Sequence, residues 1–173
     1  MAISLYDCSV KSFLQVLGAV GGFLEKGRAH LVEAGKDPEA MVGTRLHDDM
    51  LPFAFQIASV AHHSKGAIEG AKAGVFSPPG PFGQPTYADL QKWVADAKAA
   101  LEALTPEEVN ALEGKDMVFQ LGSMQMPFLA EGFLLSFSTP NLHFHATTAY
   151  DILRQAGVPL GKRDYMGGMR LKK

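Results

Sequence analysis

Residues 6–31 read YDCSVKSFLQVLGAVGGFLEKGRAHL, and their apolar side chains recur with the period of a helix packed along one face. The seam advances in steps of four and three residues, with Gly27 at one place, through Tyr6, Val10, Phe13, Leu17, Val20, Leu24 and Leu31. Such a heptad seam is typical of a helix lying nearly parallel to its neighbours. Gly18, Gly21 and Gly22 lower helix stability by roughly 1 kcal/mol each, so we expect close helix approach there.

A second long helix is predicted between a cap at Asp48 or Asp49 and a stop at Gly74. Pro52 is tolerable in its first turn, where a backbone N–H has no helical partner. Its inner face is predicted to hold Phe53, Ile57, Val60, Ser64, Ala67 and Ala71. Residues 75–85 hold four prolines and two glycines, which indicates an irregular crossing to the next helix.

Two further long helices complete the pattern. The third follows Thr86, which resembles a capping box with Asp89, and its apolar residues are Tyr87, Leu90, Val94, Ala97, Leu101 and Leu104. The fourth is predicted to open at Thr139-Pro140 and to end at Gly157, leaving an irregular tail from about residue 157.

Short elements fill the remaining chain. Asp37-Pro38 predicts a helical turn, and Thr105-Pro106 opens a second short helix with a full capping box. Segments 115–121 and 124–128 flank Gly122-Ser123, which suits a two-residue hairpin turn. We therefore expect one all-α domain over residues 1–173, a four-helix bundle with short extra helices and a small β-hairpin.

Charge and hydropathy exclude several classes of protein. Sixteen Lys and Arg residues against 18 Asp and Glu residues give a net charge of −2, so no nucleic-acid partner is expected. No apolar run approaches the roughly 20 residues that span a bilayer, and the N-terminus lacks a signal-peptide pattern. With Cys8 as the single cysteine, the sequence predicts a cytoplasmic protein without disulfides.

Six histidines are the unusual chemical resource of this sequence. Residues two apart on a helix point about 200° away from each other, so His143 and His145 cannot both face inward. His145 lies on or beside the apolar side of the fourth helix, which is marked by Leu142, Ala146, Ala149, Ile152 and Leu153. His143 is expected to face solvent or the preceding loop.

His63 is the inward candidate on the second helix, because it is a turn-neighbour of Val60 and Ala67. His62 is about 100° away and lies on a weaker apolar stripe. Two inward imidazoles on different helices favour a metal or acid/base site. The alternative is that each is a structural histidine, hydrogen-bonded to Asp49, Thr147, Thr148 or a backbone carbonyl.

Four segments carry a resemblance to a known family. They are LHFHATTAYDILR at 142–154, GVPLGKRDY at 157–165, DMLP at 49–52 and HSKGA at 63–67. Across essentially the whole chain, the sequence resembles an uncharacterised bacterial domain-of-unknown-function family. That family looks like a branch of the DinB/YfiT-like helical bundles.

The resemblance implies a fold, a metal site and a dimer. Many DinB-like proteins bind a divalent metal through one histidine on the second helix and a His-x-x-x-His pair on the last. His63 and His145 match two of those positions, whereas Ala149 stands at the third. A third ligand would have to come from His47, Asp49 or His62.

Two functional hypotheses follow. In the first, the chain is an enzyme that acts on a small polar molecule, using a divalent metal such as zinc or nickel, or the neutral imidazoles as a general base. In the second, the bundle has lost the ancestral metal site and is a non-catalytic homodimeric binding or scaffold protein.

Overall fold

The structure, a computed structural model, describes residues 3–172 and is mostly helical. In chain order its α-helices are α1 (Leu5–Cys8), α2 (Val10–Glu33), α3 (Glu39–Val42), α4 (Phe53–Ala61), α5 (Ala67–Ala73), α6 (Tyr87–Glu102), α7 (Pro106–Asn110), α8 (Ala130–Gly132), α9 (Thr139–Gln155) and α10 (Lys162–Met166). A first π-helical turn, His62–Gly66, joins α4 to α5, and a second, Phe133–Ser138, joins α8 to α9. Strands β1 (Val75–Phe76), β2 (Asp116–Leu121) and β3 (Met124–Leu129) form one sheet in that order.

The long helices pack as the apolar periodicity predicts. Helix α2 contacts α6 and α9, and α4 contacts the same two helices from the other side. The residues predicted for the inner face of the second helix are all buried, as are those of the apolar side of the fourth. Along α2, the seam residues Val10, Phe13, Leu17, Val20 and Leu24 are completely buried. Together with Leu90, Val94 and Ala97 of α6, these faces form the hydrophobic core.

The closest helix approach is at Gly27, not at the three glycines predicted for it. A Cβ atom at Gly27 would lie 3.0 Å from Tyr87 Oη and 3.1 Å from Leu153 Cδ2. A Cβ atom at Gly18 or Gly22 would meet nothing within 4 Å, and at Gly21 only an ordinary contact. The prediction was therefore wrong for Gly18 and Gly22, because these glycines line an open groove beside α6.

One predicted helix start was also wrong: helix α4 begins at Phe53, with Pro52 at the N-cap and no side-chain cap from Asp48 or Asp49. The predicted start of the fourth long helix is confirmed, since α9 begins at Thr139 with Pro140 in its first turn. Helix α8 and the second π-helical turn precede α9 without a break, which was not predicted. Pro140 has no N–H and would clash with a carbonyl one α-turn earlier. The wider π-helical turn before it accommodates the proline, and Thr139 Oγ1 donates to the Leu134 carbonyl (2.8 Å).

The predicted hairpin is confirmed, but it belongs to a larger sheet. β2 and β3 pair antiparallel, with Leu121 opposite Met124 across the Gly122-Ser123 turn. The crossing predicted to be irregular over 75–85 begins with β1, which pairs parallel to β2. The side chain of Phe76 on β1 is thereby held among the aromatic rings of the core.

The tail is partly ordered by a helical turn, which corrects the prediction of an irregular tail. Helix α9 ends at Gln155 before Gly157, whose φ is +92°. Helix α10 then packs on α2, where Lys26 Nζ lies 2.7 Å from Asp164 Oδ1 and Gln15 Nε2 donates to the Met166 carbonyl (2.8 Å). No helix among residues 3–172 is long and apolar enough to cross a membrane.

Candidate functional site

The structure brings His63 and His145 together, as the helical periodicity predicts. The two rings, which we call the histidine pair, lie 5.9 Å apart between centroids and are nearly parallel, at 15°. His63 comes from the first π-helical turn and is buried, whereas His145 comes from α9 and is half-buried. The pair therefore joins the second and fourth long helical segments across their interface.

Gln56 fixes the tautomer of His145. The side-chain Nε2 of Gln56 donates to the Leu51 carbonyl (2.8 Å), an atom that can only accept. The amide oxygen of Gln56 must then face Nδ1 of His145, 2.8 Å away. Only a protonated Nδ1 makes that hydrogen bond, so neutral His145 carries its lone pair on Nε2.

His63 is held by the second π-helical turn. Its Nδ1 lies 3.2 Å from Oγ of Ser138, a buried residue that ends this turn. Both π-helical turns therefore contribute to the histidine pair, one by carrying His63 and the other by carrying its hydrogen-bond partner. π-Helical turns are uncommon and occur frequently at functional sites.

The Nε2 atoms of the histidine pair remain available. Neither Nε2 atom makes a hydrogen bond within residues 3–172. Every fully buried side-chain nitrogen or oxygen of these residues, in contrast, has a hydrogen-bond partner. Both Nε2 atoms are consequently reachable by solvent. A histidine that ligates a metal donates its other ring N–H to a protein oxygen, as His145 donates to Gln56.

Burial keeps both imidazoles neutral. Burial first, and then the neighbouring rings of His145 and His62, lower the pKa of His63 from 6.5 to about 3. Burial likewise lowers the pKa of His145 to about 4. A neutral imidazole is the form that binds a metal, whereas groups with such low pKa values are weak general bases near neutral pH.

Aromatic side chains lie around the histidine pair. The His63 ring lies 5.4 Å from that of Phe76 and 5.9 Å from that of Phe137. The His145 ring has Phe55 at 5.8 Å and Phe144 at 5.3 Å. These rings come from α4, β1, the second π-helical turn and α9.

The candidate third ligands are engaged with other partners. The His62 ring lies 5.7 Å from that of His63, but its Nε2 donates to the Ser77 carbonyl (2.7 Å). Nδ1 of exposed His47 pairs with Asp49 Oδ1 (2.7 Å). Ala149 is completely buried in the core. In the described part of the chain, no group of three or more His, Cys, Asp or Glu side chains is arranged to hold a metal ion.

His143, Thr147 and Thr148 of α9 make hydrogen bonds away from the histidine pair. His143 is exposed and lies 3.1 Å through Nδ1 from Tyr165 Oη, so its outward orientation is confirmed. Thr147 and Thr148 bond Tyr165 and the Phe144 carbonyl, not the histidine pair. The actual partners, Gln56 and Ser138, were not predicted, and the only signal for Gln56 is a polar residue beside the buried stripe at Phe53 and Ile57.

Comparisons with known proteins agree with the resemblance seen in the sequence. The family described as domain of unknown function (DUF1993) matches residues 5–166. The crystal structure of a DinB family member protein from Shewanella denitrificans matches with a TM-score of 0.80 and 25% sequence identity, covering 98% of this chain and 95% of that chain. A comparison with curated proteins finds no significant match.

Proposed function

The chain belongs to the domain of unknown function family DUF1993, with a DinB-like fold, and on that premise we propose that its histidine pair binds a divalent metal ion. The four long helical segments would form a single-domain four-helix bundle, with His63 and His145 as the protein ligands at its centre. The observation that carries the proposal is the shared pattern of hydrogen bonds, in which each Nδ1 is held by a protein oxygen and each Nε2 is open.

The two imidazoles have the chemistry of metal ligands, but they are fewer than the ligands of a usual catalytic site. Neutral imidazoles suit zinc and nickel, and Gln56 presents His145 in the required tautomer. Catalytic zinc sites, however, usually have three protein ligands, and this chain has Ala149 where the resemblance to DinB-like proteins implies the third. Water or a bound molecule would complete the coordination, so affinity should be modest and the ion exchangeable.

A metal site is better supported than general-base catalysis. The pKa values of about 3 and about 4 make both imidazoles weak bases. A bound divalent ion would supply Lewis-acid chemistry on a small polar molecule. The residues of the chain would hold the ion, fix the imidazole tautomer through Gln56 and exclude bulk water with the rings of Phe76 and Phe137.

The test is calorimetric titration of metal-stripped protein with zinc and nickel. We expect one ion per chain, with binding lost in His63→Gln and in His145→Gln. His143→Gln is the matched control, because it removes a histidine from the same helix that faces outward. Stoichiometric binding that survives both pair substitutions, or its absence in the unmodified protein for both metals, would refute the proposal.

Ala149 supports a second candidate, a non-catalytic homodimeric binding protein whose ancestral metal site is gone. In that case both pair histidines are structural, and His63→Gln and His145→Gln fold with little loss of stability. Sedimentation equilibrium with and without chelator separates the candidates. A dimer indifferent to chelator, in protein that binds no metal, favours the scaffold, whereas chelator-dependent stability counts against it.

A further inference from the structure

A cavity of about 320 Å³ lies on the other side of His62 from the histidine pair. It opens between α4, the first π-helical turn, α6 and the proline-rich segment that follows β1. We call it the Trp93 cavity, after the residue of α6 that forms one wall. Its volume is in the range of sites that bind small molecules.

Small residues make the floor of the Trp93 cavity. Ala58, Ala61, Gly66 and Ala97 line it, and none of them fills the space between the helices. A Cβ atom at Gly66 would lie 2.9 Å from Nδ1 of His62, so the close ring requires glycine there. The His62 ring stacks on Phe76 at 4.3 Å and donates to the Ser77 carbonyl, which fixes the start of the proline-rich segment.

Two aromatic rings face the Trp93 cavity. Phe82, from the proline-rich segment, meets Trp93 edge to face at 5.3 Å between centroids and 69°. Both side chains are half-buried and line the opening. Such a corner binds a flat apolar body, and the faces of Trp and Phe also attract a cation.

The side chains that line the cavity carry more negative than positive charge. Glu69 and Asp96 line the cavity, and among the described residues Lys65 is the single lysine or arginine in the lining. Nζ of Lys65 lies 3.3 Å from a carboxylate oxygen of Glu69 and is thereby engaged. Within residues 3–172, Asp96 pairs with Lys92 alone, in an exposed contact of 2.6 Å, and Lys92 lies outside the lining. Exposed pairs of this kind contribute little free energy, so a ligand can replace Lys92 at small cost.

We propose that the Trp93 cavity binds a small organic cation, a primary amine carried on a flat apolar body. The body lies against Phe82 and Trp93, and the ammonium group donates to the Asp96 carboxylate. A primary ammonium fits better than a quaternary one, because its N–H groups can bond the carboxylate. A carboxylate ligand is disfavoured by the two acidic side chains of the lining.

Trp93 is the single tryptophan of the chain, so its fluorescence reports on this cavity alone. The folded protein is titrated with phenethylamine, with the uncharged isostere 2-phenylethanol and with the anion 3-phenylpropionate, with excitation at the red edge of the tryptophan band. We expect a saturable change for the amine, much weaker binding of the alcohol and none of the anion. The affinity for the amine should also fall with added salt.

Three variants locate the response. Asp96→Asn should weaken amine binding by roughly fivefold, and Ala58→Leu should abolish it by filling the floor. Glu102→Gln is the matched control, because Glu102 makes a similar i,i+4 pair with Lys98 on the same helix. Circular dichroism establishes that each variant is folded. Equal affinity for amine and alcohol, an unchanged affinity in Asp96→Asn, or no saturable response to the amine would each overturn the proposal.

Discussion

Gln56 uses both ends of its side-chain amide, and this makes it the residue on which the histidine pair depends. Its nitrogen is committed to the Leu51 carbonyl and its oxygen to His145, and the residue is almost fully buried. A single amide thus links the loop before α4 to the imidazole on α9. Partners of this type commonly alter metal affinity by 10- to 100-fold when they are removed.

We expect Gln56→Leu to weaken zinc or nickel binding by roughly 10- to 100-fold in folded protein, because Nδ1 of His145 loses its acceptor. Gln56→Glu is the informative control: its carboxylate still accepts from Nδ1, although the donor to Leu51 is lost in both variants. Titration calorimetry on the two proteins measures the difference. If Gln56→Glu binds metal as weakly as Gln56→Leu, the acceptor for Nδ1 of His145 does not support binding. The lost hydrogen bond to the Leu51 carbonyl then explains the effect of both substitutions.

The residues of the pair and their partners differ in how far sequence could predict them. His63 and His145 follow from helical periodicity, because each is a turn-neighbour of core positions such as Val60 and Leu142. Ser138 is 75 residues from His63 and Gln56 is 89 residues from His145. Periodicity within one helix contains no information on such pairings, which depend on the rotation of two helices against each other.

At the scale of elements, the π-helical turns explain which boundaries were missed. An α-helix, a π-helical turn and a second α-helix share nearly the same backbone dihedral region, so the apolar pattern of 53–71 predicts one uninterrupted helix. Pro140 correctly predicts the start of α9, because proline is common in the first helical turn. Proline chemistry does not reveal that α8 and a widened turn precede α9 without a break. The hairpin, in contrast, follows from local turn chemistry and was predicted almost to the residue.

The edge strand β3 carries its own protection against self-pairing. Val118, which is opposite Pro127, directs its N–H to the Gly74 carbonyl (3.0 Å), away from β3. In an antiparallel pair, Pro127 must then direct its backbone nitrogen to the open edge. Proline removes a donor there without removing a hydrogen bond of the sheet, a known way to limit edge-to-edge association.

Replacing Pro127 with valine should promote self-association. The change adds an outward N–H between those of Gln125 and Leu129, on a strand whose side chains are largely exposed. Light scattering as a function of protein concentration measures the effect. Gln120→Val on β2 is the control, since it adds the same side chain next to β3 without adding an edge donor. Equal scattering from the two variants would mean that side-chain hydropathy, not the open edge, governs association.

At the scale of the whole molecule, the histidine pair links stability to pH. The pKa values of His63 and His145 are lowered from 6.5 to about 3 and about 4 in the folded chain. Between pH 6.5 and about 4 the unfolded chain therefore binds protons that the folded chain does not. The contribution of the neutral pair to the free energy of unfolding is complete above pH 6.5 and decreases as the pH falls through this window.

Urea unfolding of metal-free protein between pH 7.5 and 5 should accordingly show a free energy of unfolding that falls toward acid. The double variant His63→Gln/His145→Gln should show a flatter profile, because glutamine binds no proton in this range. Exposed His47→Gln serves as the control, because it removes a histidine outside the pair. The titration stops at pH 5 because stabilised carboxyls such as Asp7 and Asp164, whose pKa values are lowered, titrate at lower pH. Burial also lowers the pKa of His62 and of His143, so the double variant should keep a residual slope. A double variant with an unchanged slope would show that the pair is protonated equally in the folded and unfolded chains, and the neutral, ligand-ready state proposed for it would then be untenable.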